Sequence, residues 1–105
     1  MNNLVQGKLG ELTELCQRHR VRRLSLFGSA AGDHFDPEHS DLDILVEFQP
    51  MPPGKGEHAA SYFGLLEALE QLFAIPIDLV EAEAIRNPYL QRALERTQAV
   101  LFDAA

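Results

Sequence analysis

The chain holds a single cysteine, Cys16, among its 105 residues. One thiol forms no internal disulfide, which excludes a stapled secreted scaffold and fits a reducing cytoplasm. Basic side chains are scarce as well, with 9 lysines and arginines against 16 aspartates and glutamates, for a formal charge of −7. Neutralising a phosphate backbone takes clustered lysines and arginines, so direct nucleic-acid binding is not expected. No apolar run approaches the roughly 20 residues that span a bilayer. The opening Met1-Asn2-Asn3-Leu4-Val5 has no basic stretch leading into an apolar block, so neither a membrane span nor a secretory signal is expected. Repeats and low-complexity tracts are missing too. What is there is ordinary: 46% hydrophobic and 24% charged residues, too apolar for disorder. The length suits one domain over residues 1–105, since two halves would each be marginal.

Val5, Leu9, Leu12 and Cys16 recur at helical spacing and predict one amphipathic helix over residues 3–20. Leu24-Ser25-Leu26-Phe27 alternates briefly and predicts a strand that stops at Gly28-Ser29. Residues 30–40, with Gly32, Asp33, Asp36 and Pro37, read as a loop opening with one helical turn. Alternation is clear over residues 41–48. Leu42, Ile44, Val46 and Phe48 take one face; Asp41, Asp43, Leu45 and Glu47 take the other. Pro50, Pro52, Pro53, Gly54 and Gly56 then break the pattern. Tyr62, Leu65, Leu66, Leu69, Leu72 and Phe73 predict a second helix, and residues 75–80 a third strand, with Pro76 suiting an edge. Asn87-Pro88 caps a last helix whose apolar face is Leu90, Ala93, Leu94 and Thr97. Residues 99–102 fit either an extension of that helix or an edge strand. The order of elements predicts an α/β (α+β) fold, a small mixed sheet with helices packed on it.

The candidate chemistry lies in Gly28-Ser29 and the carboxylates Asp41, Asp43 and Asp78. Two residues apart on one strand, Asp41 and Asp43 project from one face about 6.6 Å apart along the backbone. Hard cations such as Mg2+ combine one or two such carboxylates with substrate phosphates. The short loop after Phe27 predicts that the first two strands are antiparallel neighbours, which sets Gly28-Ser29 beside Asp41 and Asp43. The stretch between Phe48 and Pro76 is long enough for a helical crossover, so the third strand can lie parallel to the second and bring Asp78 to the same edge. Gly28 clears space for a phosphate against the backbone. Ser29 adds a hydroxyl, and a helical turn starting there offers free amides to an anion.

Leu26-Phe27-Gly28-Ser29-Ala30-Ala31-Gly32-Asp33, Ser40-Asp41-Leu42-Asp43-Ile44-Leu45-Val46-Glu47-Phe48 and Ile77-Asp78-Leu79-Val80 together resemble the minimal nucleotidyltransferase family of the DNA polymerase β superfamily. The resemblance covers nearly the whole chain, as far as the Asn87-Pro88 stretch. It implies the polymerase β-like nucleotidyltransferase fold and a HEPN-domain partner. It further implies an antitoxin that transfers AMP from ATP to a tyrosine of a HEPN ribonuclease toxin. On that pattern Asp41 and Asp43 would bind two Mg2+ ions about the α-phosphate, stabilising attacking and leaving oxygens. Asp78 would serve as a metal ligand or as the base at the acceptor hydroxyl, and Gly28 and Ser29 would hold the β- and γ-phosphates. A hetero-oligomer with the toxin is implied, with a homodimer as the alternative. Two departures stand out. The spacer from Ala30 to Ser40 has 11 residues, one more than the family's usual length, and Ala30-Ala31-Gly32 lacks the basic residue that often follows the serine. They keep a second function in view, a contact-only module that neutralises or scaffolds a HEPN protein.

Other features carry less. Gly54-Lys55-Gly56 lacks the Ser or Thr and the spaced glycine of a phosphate loop. His34 and His39 share a loop without a cysteine or helical spacing, so they read as solvated. Arg18, Arg20, Arg22 and Arg23 read as a solvated helix end. A haloacid-dehalogenase phosphatase carries its apolar strand before the Asp pair, whereas here it follows. A template-dependent polymerase would need a longer and more basic chain.

Overall fold

A computed structural model describes residues 3–28, 41–54 and 56–104. Ser29, the loop expected over 30–40 with its two histidines, and Lys55 lie outside the described residues. Helices α1 (Asn3–Gln6) and α2 (Leu9–Arg18) lead into strand β1 (Val21–Leu26), followed by β2 (Leu42–Phe48), α3 (Glu57–Phe73), β3 (Ile77–Glu81), α4 (Pro88–Thr97) and β4 (Ala99–Asp103). A 3-10 turn, Ala82–Ala84, links β3 to α4. The four strands form one mixed sheet in the order β3-β2-β1-β4. β2 is antiparallel to β1 and parallel to β3, with α3 as the crossover that parallel pairing requires.

Several boundaries differ from the sequence reading, each for a local reason. The expected single helix is two. The Lys8 amide donates to Val5 O at 2.9 Å and Lys8 itself leaves helical geometry at φ −126°, just after Gly7, a weak helix former. β1 starts at Val21 because Arg22 and Arg23, whose charges hid the strand, fall within it. Of the arginine cluster only Arg18 therefore sits in the last turn of α2. α3 starts at Glu57, ahead of its first apolar position, and β3 runs to Glu81 rather than from residue 75. Residues 99–102 are strand: β4 pairs antiparallel with the otherwise free side of β1. α4 begins as expected, the Asn87 side chain accepting from the Tyr89 and Leu90 amides at 2.9 and 3.4 Å.

The core lies on one face of the sheet. Leu24 and Leu26 of β1 and Leu42, Ile44 and Val46 of β2 meet Val5, Leu12 and Cys16 from α1 and α2 and Leu65, Leu69 and Phe73 from α3. Each large side chain so buried contributes about 1.5–3 kcal/mol. Burial pushes the Cys16 thiol up to about 12, so it packs as a small hydrophobe. Helix α3 sits close to the His19 ring at Gly64, where a Cβ would meet ring atoms at 3.1 Å. The opposite face of β2 carries Asp43, Leu45 and Glu47, and α4 on the chain after β3 buries none of its residues.

Candidate active site

The candidate site forms where β1 ends and β2 and β3 begin. The Phe27 amide donates to Asp43 O at 3.1 Å, and the Leu42 amide donates to Pro76 O at 3.0 Å, so the three strand ends are laced together. In the parallel register Asp43 lies directly beside Asp78. Gly28 follows at φ +62°, and a Cβ there would come within 2.8 Å of Asp43 Oδ2. Only glycine suits that position, on backbone and on space. Asp41 stands exposed at the mouth of β2, one residue before the strand.

The electrostatics follow from this crowding. The Asp43 carboxyl is held above the usual carboxylate range, first by burial and then by the charge of Asp78, a hydrogen bond with it, and the charge of Asp41. A cation beside these carboxylates would relieve the repulsion that raises Asp43. Among the described residues no group of three His, Cys, Asp or Glu side chains is disposed to hold a metal ion. The oxygen pair of Asp43 and Asp78 is nevertheless the donor set that Mg2+ takes, since that ion usually combines one or two protein carboxylates with substrate phosphates and water. The residues present fit such a cation.

One residue at the site escaped the sequence reading. Tyr62, expected only as a core position of α3, donates its hydroxyl to Leu79 O at 2.6 Å and so clamps the backbone next to Asp78. Burial, then the charges of Glu81 and Asp78, raise its pKa. Nothing in an apolar helical stripe signals where a phenol tip will land. At the far end of the sheet His58 pairs with Glu81, its ring 5.6 Å from that of Phe48, and Arg20 pairs with Glu57 at 2.9 Å. None of these reaches the carboxylate pair.

A sequence profile described as "Nucleotidyltransferase domain" matches residues 12–100. The chain belongs to the nucleotidyltransferase family. This nucleotidyltransferase is 32% identical over 95 residues to MJ1379 of Methanocaldococcus jannaschii, provisionally named a protein adenylyltransferase; the match covers 83% of this chain and 91% of the relative. A solved structure provisionally identified as a minimal nucleotidyltransferase superposes with a TM-score of 0.74 at 29% identity, over 93% of this chain and 94% of the other. A toxin–antitoxin crystal structure with AMP-PNP shares the fold, with a TM-score of 0.67 at 17% identity over 91% of this chain and 73% of that one. The expected fold class, a small mixed sheet with helices on it, is the one observed. Among the described residues no helix is long and apolar enough to cross a membrane.

Proposed function

We propose that this nucleotidyltransferase transfers AMP from ATP to a tyrosine hydroxyl of a HEPN-domain toxin, acting in the cytoplasm as its antitoxin. The observation that carries the reading is the Asp43–Asp78 pair set side by side against Gly28 at one end of the sheet. The provisional name of MJ1379 supports a protein acceptor. A triphosphate needs neutralising charge on one side and donors on the other. Asp43 and Asp78 would hold Mg2+, and the family pattern adds Asp41 and a second ion; bound there the metal would offset phosphate charge and stabilise the attacking and leaving oxygens. Gly28 leaves its backbone open to the β- and γ-phosphates, and Ser29 adds a donor hydroxyl. The acceptor oxygen forms its bond to the α-phosphorus as the bond to the β-phosphate oxygen breaks, and pyrophosphate leaves. Asp78 would take the acceptor proton or serve as a metal ligand. Positioning and charge then carry the rate, without a covalent enzyme intermediate.

The lengthened spacer and the absent basic residue after Ser29 favour one second reading, neutralisation of the toxin by contact alone. Co-expression with the protein encoded beside this chain, followed by intact-mass measurement, separates the two. Transfer predicts a gain of one or more AMP units on the partner, lost when its acceptor tyrosine is changed to phenylalanine. A stable complex with no gain under ATP and Mg2+ overturns the transfer reading and leaves the contact-only one.

A further inference from the structure

The face of β2 that carries Asp43 continues into a groove. Asp43, Leu45 and Glu47 alternate along that face, so Leu45 stands about 6.6 Å beyond Asp43. Leu45, with Ala82, Ile85 and Leu94, supplies the apolar lining of an open cavity of about 300 Å³ between the sheet and α4. Three carboxylates, Glu47, Glu83 and Glu95, stand around it, and Arg23 is the one basic side chain among its lining residues. Gln91 donates to Ile85 O and fastens α4 to the chain that follows β3, which fixes one wall. The wall itself is thin. α4 has Leu94 and Ala93 half-buried and no residue fully buried, so it leaves part of its apolar face uncovered.

We infer that this groove receives an extended, lysine- or arginine-bearing segment of the acceptor protein and so delivers the acceptor hydroxyl to Asp43 and Asp78. The inference rests on the protein-acceptor reading above and adds where the acceptor lies and what chemistry it brings. Size argues for side chains of an extended segment, since a helix about 10 Å across would not enter. Charge argues for a basic one: three carboxylates against one guanidinium repel a nucleic acid and repel a second copy of this chain, whose net charge is −7. Continuity with the carboxylate pair along one strand face argues for the acceptor rather than an unrelated ligand.

Two fluorescein-labelled peptides test it, each with one tyrosine flanked by leucines and either lysines or glutamates. Anisotropy with the native chain should show tighter binding of the lysine peptide. Glu83→Lys combined with Glu95→Lys, both exposed positions, should weaken that peptide about tenfold and strengthen the glutamate peptide, with an unchanged affinity for ATP and an unchanged melting temperature. Equal binding of the two peptides, or lysine-peptide binding untouched by the double reversal, overturns the groove. Self-association that the double reversal abolishes assigns the groove to a second copy and overturns it as well. Mass spectrometry of the same mixtures under ATP and Mg2+ reads the underlying function separately. Charge-selective binding without AMP on the tyrosine counts against the protein-acceptor reading while the groove stands; AMP transfer indifferent to peptide charge does the reverse.

Discussion

The two faces of this sheet are built from the same strands and do opposite work. On one, Leu24, Leu26, Ile44 and Val46 are sealed under α2 and α3. On the other, Asp43 and Asp78 crowd each other beside Gly28, Leu45 and Glu47 border an open groove, and α4 buries nothing. Strand alternation makes the separation cheap, because each residue commits to one face without disturbing its neighbours. The lesson is that stability and chemistry here lie one residue apart and should respond to substitution independently. Where the core face gains from burial, the site face carries a repulsion that the fold tolerates and a ligand would relieve.

The comparison breaks most sharply at Ile44. Ile44→Ala opens a cavity beneath the sheet and should cost about 2–5 kcal/mol in denaturant unfolding, while any molecules still folded keep their carboxylate pair. Gly28→Ala crosses the boundary between the faces. Its Cβ would meet Asp43 Oδ2 at 2.8 Å on a backbone at φ +62°, so we expect about 1–2 kcal/mol of strain. A larger loss should appear in AMP transfer, about a hundredfold, the range a displaced catalytic group costs. Asn87→Ala removes both cap bonds of α4 and should cost about 1 kcal/mol, read as faster amide exchange in α4 with little change at β1 and β2.

The smallest effect has the opposite sign. Asp43 is raised by burial and by Asp78 and Asp41, so the folded state holds its proton more tightly than the unfolded chain does. Its contribution therefore lowers stability at neutral pH and recovers as pH falls through the raised value towards the ordinary carboxylate range. Asp43→Asn should be as stable as the native protein or more so, by no more than about 1 kcal/mol at pH 7, and should lose that part of the pH dependence. Melting curves without metal across the acid limb check both statements.

How much of this the sequence carried differs between the two faces as well. Leu42, Ile44 and Val46 announce their strand through period two, and Asn87-Pro88 announces its helix through cap chemistry. The meeting of Gly28, Asp43 and Asp78 followed from connectivity, because a short loop and a long crossover leave few pairings. Other features were set by tertiary contact and left no local mark. The arginines of β1 hid a strand whose neighbours, not its propensity, hold it. β4 is a strand because β1 had an unpaired side, and Ala99-Val100-Leu101-Phe102 would serve a helix equally well. The Tyr62 hydroxyl found Leu79 O only once α3 had packed across β3. The groove belongs to the same class, since Leu45 and Glu47 meet Leu94 and Glu95 only through the fold.

Calorimetric titration with ATP tests the central claim, that the carboxylate pair is a metal-dependent nucleotide site. It should be run with Mg2+ and with EDTA on the native chain and on Asp43→Asn with Asp78→Asn. The account predicts binding to the native chain that requires Mg2+, loss of that requirement and of the affinity it supports in the double variant, and a melting temperature no lower than native. Equal affinity for ATP in Mg2+ and in EDTA would contradict it.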